Sequence, residues 1–198
     1  MTTRYFGARV QRNEDERLLT GRALFVDDVE LPGMLHAAFL RSPHAHARIR
    51  AIDVSAALRR EGVVAVYTAE DLGDYWRPGP LLVPPPPIDG SVFNERTQVP
   101  LAKGKVRHAG EPVALVVADS RYVAEDALAE IVVDYEPLPA VVDLERALAP
   151  GAPCVHDDLG TNVSYVWKLE TGAFDDGADV IVKHRYFQPR LIPNAIEP

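Results

Sequence analysis

The sequence predicts an α+β fold, and three observations carry that reading. Strand-like runs alternate with brief helix-like runs along the chain. Val113-Ala-Leu-Val-Val-Ala118 is a continuous apolar stretch suited to a strand covered on both faces. Directly after it, Val123, Ala124, Ala127, Leu128 and Ile131 recur at helical spacing on one face of a segment from Arg121 to about Glu130.

Composition bounds the function classes before any element is assigned. With 198 residues, 47% of them apolar and 25% charged, the chain suffices for one large domain, or one domain and part of another. A net charge of −8 disfavours nucleic acid, because a phosphate-binding surface needs clustered Lys and Arg. Cys154 is the one cysteine, which excludes an internal disulfide, a Cys-rich zinc site and an iron–sulfur cluster built from this chain alone. The first ten residues lack the apolar core of a signal peptide, and no run approaches the ~18 apolar residues of a membrane span. The expected location is the cytoplasm.

Taken in order, Asn13-Glu-Asp-Glu-Arg-Leu-Leu-Thr-Gly21 predicts a short helix, with Asn13 as N-cap, acids in the first turn and Gly21 past the end. Met34 to Leu40 is strand-like. Ala47 to Val54 alternates Ala47, Ile49 and Ala51 with Arg48 and Arg50, as a half-buried strand should, and the alternation slips at Ala51-Ile52, where a bulge is expected. Ser55 to Arg60 predicts a short helix closed by Gly62, then a strand at Val63 to Tyr67. Thr68-Ala-Glu-Asp71 has the pattern of a capping box.

Between Asp74 and Pro100 the character changes. Pro84 to Pro87 cannot sit in a helix or a central strand, and a surface excursion of polyproline character is expected there. Asp119-Ser120 caps the helix that follows the Val113–Ala118 strand. Ile131 to Tyr135 reads as a strand ended by Glu136-Pro-Leu-Pro139. Val141-Val142 with Leu144 to Leu148 reads as a last strand–helix pair. Pro150-Gly-Ala-Pro153 looks like a linker, which sets a domain boundary near residues 150–160, with domains at 1–155 and 156–198. Beyond it, Val163–Leu169 and Val180–Phe187 read as strands separated by a turn or short helix over Gly172–Asp179. Two strands are too few for an independent core.

Each candidate site has an ordinary structural reading beside it. His44 and His46 stand at i,i+2, so on a strand both would face one way, as in some metal sites, but His36, His108 and His156 have no spacing that predicts convergence. The favoured reading is a hydrogen-bonded corner in which Arg41 and Arg48 bind carbonyls or carboxylates. Asp27, Asp28 and Glu30 read as a solvated turn rather than a cation site. Glu125-Asp126 reads as a helix's exposed face rather than an acid/base pair. Gly104 to Gly110 has glycines without phosphate-loop spacing. Cys154 reads as a small apolar residue, despite His156 two positions on.

Five ordered blocks go further than composition and spacing. They are Arg17-Leu-Leu-Thr-Gly21 with Phe25-Val-Asp-Asp28; Leu31-Pro-Gly-Met-Leu35 with Arg41-Ser-Pro-His-Ala-His-Ala-Arg-Ile49; Gly62-Val-Val-Ala-Val66 with Thr68-Ala-Glu-Asp-Leu72; Val106-Arg-His-Ala-Gly-Glu-Pro-Val-Ala114 with Ala124-Glu-Asp-Ala127; and Val133-Asp-Tyr-Glu-Pro-Leu-Pro139. Over roughly residues 6 to 160 the combination resembles the α/β hammerhead domain of the xanthine dehydrogenase, aldehyde oxidase and carbon monoxide dehydrogenase large subunits. Gly160-Thr-Asn162, Phe187 and Arg190 to Pro198 resemble the opening strands of the molybdenum-cofactor-binding domain that follows, here incomplete.

The resemblance implies a parent enzyme that hydroxylates a small substrate oxidatively at a molybdenum–molybdopterin centre, with electrons leaving through iron–sulfur clusters to FAD. It also implies partners: the remainder of the molybdenum-binding subunit, and flavin and iron–sulfur subunits of the bacterial carbon monoxide dehydrogenase type. The family's glycine-rich cofactor loops, the glutamine near its metal and its late general-base glutamate would all fall beyond Pro198. No catalytic, cofactor-binding or metal-binding residue is therefore carried over to this chain, which is expected to bind no molybdopterin alone. An exposed apolar surface is expected near Val180–Ile196. Two other readings stand beside this one: a non-catalytic assembly or binding domain that has lost its enzyme, and a metal or small-ligand protein using His44 and His46.

Overall fold

The computed structural model describes residues 7–81, 91–168, 177–186 and 188. The chain divides into two units, Met1–Met34 with Gly177–Pro198, and Leu35–Asp176.

In the first unit, α1 (Asp15–Leu19) puts Asp15 and Glu16 in its first turn, where the helix's unpaired amides favour negative charge. The expected Asn13 cap does not form. The cap position falls on Glu14, with no side-chain hydrogen bond, one residue inside the reading. The other end closes as anticipated. Gly21 takes φ +67°, its amide donates to Leu18 O at 3.3 Å, and the Arg22 amide donates to Arg17 O at 2.8 Å, the paired return bonds of a left-handed C-terminal stop. Residues 180–186 contain no strand, so the predicted Val180–Phe187 strand is absent over its described part. Val180, Ile181, Val182 and Tyr186 are exposed, in line with the expected apolar surface; Phe187 and residues 189–198 lie outside the described residues.

The second unit holds the sheets, and every strand pair in them is antiparallel. The strands are β1 (His36–Arg41), β2 (Ala47–Asp53), β3 (Val63–Thr68), β4 (Val92–Phe93), β5 (Lys105–Val106), β6 (Pro112–Ala118), β7 (Val132–Pro137) and β8 (Tyr165–Val166), with helices α2 (Ser55–Arg59) and α3 (Arg121–Leu128) between them. One sheet runs β1-β6-β3, a second β5-β2-β7, and β4 with β8 makes a two-stranded ribbon.

The apolar run at 113–118 became the central strand β6, with β1 and β3 on either side. Period-two geometry sends Ala114, Val116 and Ala118 to one face, where all three are fully buried against Ala57 of α2 and Ala124 and Ala127 of α3. The alanines matter because a small side chain lets a helix backbone approach the sheet closely. Ser120 caps α3 by accepting from Val123 N at 3.2 Å. The second sheet buries Ala47 and Val106 with Ala102 and Val113, flanked by Ile49 and Tyr135.

Several element boundaries moved. The bulge in β2 lies between Ile49 and Ala51, opposite Tyr135 and Asp134, slightly earlier than the slip in the pattern. Thr68 and Asp71 do bond, but as a turn. The Asp71 carboxylate accepts from both the Thr68 amide and hydroxyl at 2.7 Å, so the hydroxyl caps no helix amide. Val141-Val142 forms no strand, and the helix there is one 3-10 turn, Arg146–Leu148. Of the predicted Val163–Leu169 strand, Tyr165–Val166 pairs with Val92–Phe93, and Leu169 lies outside the described residues. The Pro84–Pro87 run and residues 172–176 also lie outside them.

Candidate functional site

The histidine corner is built where β1 hands over to β2. Ser42, 3% exposed, closes the turn: its hydroxyl accepts from the His44 amide and donates to the His44 carbonyl, both at 3.0 Å. Such a Ser turn lets the chain reverse without leaving buried backbone groups unpaired. The 104–111 loop clasps the corner. Gly110 N donates to Ser42 O at 2.8 Å, Ser42 N to Glu111 O at 2.9 Å, Arg41 Nη1 to Gly110 O at 2.9 Å and Ile49 N to Gly104 O at 3.0 Å. The glycine stretch that lacks phosphate-loop spacing is therefore a structural clasp.

The two histidines go to different partners. His44 sets its ring edge-on to Tyr135, centroids 4.9 Å apart, where burial pushes the Tyr135 phenol up against the opposing pull of the Ser42 hydroxyl. His46 Nδ1 lies 2.7 Å from the Pro139 carbonyl, which can only accept, so the proton sits on Nδ1 and the ring ties the exit of β7 to the entry of β2. Its Nε2 is buried without a partner. Among the described residues no three His, Cys, Asp or Glu side chains gather to hold a metal. Arg41 binds a carbonyl as expected, whereas Arg48 makes no hydrogen bond or ion pair among the described residues, so that half of the corner reading is corrected.

The other candidates take structural places. Asp28 accepts from Phe25 N at 3.0 Å in a turn. Asp126 and Glu130 share Arg60, at 2.7 and 2.6 Å. Cys154 Sγ is half-buried, 3.8 Å from Ala152 O. His108 stands 3.8 Å from Glu111, whose carboxylate also receives the Arg107 amide.

A second cluster was not legible as one. Register sets Arg48 opposite both Lys105 and Glu136, so all three project from the charged face of the β5-β2-β7 sheet, away from Ala47, Val106 and Ile49. Glu136 is held by Arg50 in an ion pair. The turn Asp157–Leu159 lies over Lys105, whose side chain is 9% exposed and whose Nζ meets Asp157 Oδ2 at 2.8 Å; the adjacent Asp158 pairs with Arg96. The Lys105 hydrogen bond and charge hold the Asp157 carboxyl below its usual range, with Arg48 and His46 adding smaller pulls against partial desolvation. Burial first, then the Arg107 and Arg96 guanidiniums, hold the His156 imidazole below its usual range. Arg107 Nη1 reaches Lys105 O at 3.2 Å, and its Nε is buried without an acceptor. The alternation Lys105-x-Arg107 beside Arg48-x-Arg50 was a signal, but it needed the register to become a site.

Comparison with known proteins places this geometry. Residues 20–139 match the family model described as the aldehyde oxidase and xanthine dehydrogenase a/b hammerhead domain. The chain is 39% identical to the carbon monoxide dehydrogenase large chain of Afipia carboxidovorans, over 96% of this chain and 24% of that protein. It is 36% identical to the nicotine 6-hydroxylase large subunit of Paenarthrobacter nicotinovorans, over 100% of this chain and 24% of that protein. Among solved structures, quinoline 2-oxidoreductase from Pseudomonas putida 86 superposes with a TM-score of 0.70 at 46% identity, covering 78% of this chain and 19% of that one. The chain thus spans about a quarter of the length of the curated relatives it matches.

Proposed function

Because the chain belongs to the aldehyde oxidase and xanthine dehydrogenase family through its a/b hammerhead domain, we propose that it serves as the N-terminal portion of a molybdenum hydroxylase large subunit. Its part in that oxidoreductase is packing and assembly, and the reaction of the whole is oxidative hydroxylation of a small substrate. The observation that carries this reading is identity of 39% and 36% to two such large subunits over 96% and 100% of this chain. That identity continues past residue 139, where the hammerhead match ends, which supports a second segment. We place its start near residue 155, as the opening of the molybdenum-cofactor-binding domain.

In this reading the complete enzyme works in the cytoplasm with molybdenum–molybdopterin, and with FAD and iron–sulfur clusters on partner chains. No helix among the described residues is long and apolar enough to cross a membrane. The crevice at residues 140–153 does not fit the molybdenum cofactor. The crevice of about 580 Å³ lined by Val142, Asp143, Arg146, Ala149 and Pro153 offers an anionic pterin one cation, Arg146, and no cluster of three metal-ligating side chains exists among the described residues. No chemical step is therefore assigned to this chain.

The test is a pull-down of the chain from its native host, with metal analysis and mass spectrometry of what accompanies it. Stoichiometric molybdenum with flavin and iron–sulfur polypeptides is the expected result. A lone, metal-free chain would overturn the proposal in favour of a non-catalytic assembly domain.

A further inference from the structure

Resting on the reading of the chain as one portion of a molybdenum hydroxylase large subunit, we propose that the face of the β1-β6-β3 sheet turned away from α2 and α3 is a packing surface. Its cover is an apolar surface of the rest of that subunit. Two rows of side chains cross the face. Phe39 of β1 and Tyr67 of β3 both stand opposite Leu115 of β6, and Ala37 and Ala65 both stand opposite Val117. These positions alternate with Ala38, Val66 and Val116, which pack in the core beneath the helices. Phe39 is 44% exposed and Tyr67 40%, and neither row holds a charged side chain.

The sequences of the three strands call for a second cover. An antiparallel sheet with one face in water alternates apolar and polar residues. The second sheet does so: β2 carries Arg48 and Arg50, and β7 carries Asp134 and Glu136. The first sheet does not. Ala37-Ala-Phe-Leu40, Val63-Val-Ala-Val-Tyr67 and Val113-Ala-Leu-Val-Val-Ala118 are apolar or aromatic at every position, the pattern of strands buried on both sides. Ala57 of α2 with Ala124 and Ala127 of α3 cover one side. No described residue closes the other, where Phe39 and Tyr67 stay open.

Size and chemistry select the occupant. With strands about 4.8 Å apart, the two rows offer on the order of a few hundred Å², against the ~800 Å² per partner of a stable complex. A second copy seated on this patch alone would not offset the freedom it loses. A surface of the same subunit, held beside the sheet by its other contacts, does not meet that cost. The chain covers 24% of each of the two large subunits it matches, which leaves the greater part of such a polypeptide to supply the cover. That cover is aliphatic or aromatic, because a charge brought against Phe39, Leu115 and Tyr67 would lose its water without gaining a partner.

Hydroxyl-radical footprinting read by mass spectrometry, run on the isolated chain and on the complex recovered with it from the native host, tests this. In the isolated chain Phe39 and Tyr67 should oxidise readily, as the exposed Tyr122 of α3 does. In the molybdenum-containing complex both should be protected about tenfold, since packing at the core of an interface excludes water. A complex that assembles while Phe39 and Tyr67 stay as reactive as in the isolated chain would overturn the proposal and leave the assembly reading intact. Protection already present in the isolated chain, and lost on dilution, would overturn it in favour of a second copy. A chain recovered with no molybdenum-containing polypeptide would overturn the assembly reading and this surface with it.

Discussion

Gly62 gives the sharpest stability prediction, because two separable effects meet at one atom. It joins α2 to β3 at φ +86°, and a Cβ there would lie 2.8 Å from Asp119 Oδ1 and 2.9 Å from Oδ2. The backbones are also joined, Asp119 N donating to Gly62 O at 2.9 Å, so the two chains cannot simply separate. Placing alanine in the left-handed region costs roughly 1–2 kcal/mol, offset in part by about 0.4–1 kcal/mol of reduced freedom in the unfolded chain. The Asp119 side chain is exposed and can rotate away, so the contact adds only the ~0.5–1.5 kcal/mol of a displaced rotamer rather than a rigid clash. Gly62→Ala should therefore lower stability by about 2 kcal/mol, and by about 1 kcal/mol in an Asp119→Ala background, where the backbone effect alone remains. Urea denaturation followed by circular dichroism, run on the four corners of that cycle, measures both. A loss below about 0.5 kcal/mol in the parent background would refute the left-handed argument. Equal losses in both backgrounds would refute the contact with Asp119.

Two more outcomes follow from the packing and the charges. Val116→Ala removes two buried methyl groups at the centre of β6, worth about 1.6 kcal/mol of transfer plus roughly 1 kcal/mol for the void, so the urea midpoint should fall by the equivalent of ~2–3 kcal/mol without a change in slope. His156 is held below its ordinary value in the folded chain, so the unfolded chain binds more protons; that stability is complete above about pH 6.5 and is lost as pH falls below it toward the folded value. The same urea melts between about pH 7 and 5 should decline with acid, and His156→Asn should flatten the decline; an unchanged slope would remove burial of the imidazole as the cause.

The histidine corner shows what could be read early and what could not. The Arg41–Ile49 block pointed to a corner, and Arg41 does bind a carbonyl there, because a Pro-containing turn between two apolar runs leaves few other conformations. Nothing in the spacing said that His46 would reach Pro139, 93 residues on, or that His44 would meet Tyr135. Strand readings failed where pairing decided the matter: Val141-Val142 has the composition of a strand but no neighbour to bond, while Lys105-Val106, too short to be noticed, is a strand because Ala47 and Arg48 lie beside it.

Local chemistry and ordered blocks in the sequence were enough for the α+β class, the N-cap of α3 and the stop of α1, the central strand β6 and the family itself, since each depends on residues near one another or on their order. Tertiary structure alone decided that β6 lies between β1 and β3, and that β2 lies between β5 and β7. That second arrangement set Arg48 against Lys105 and brought Asp157 over them. The physical reason is that a one-residue slip in register would turn every side chain of β2 to the opposite face, and only long-range burial of Ala47, Val106 and Val113 fixes which face that is.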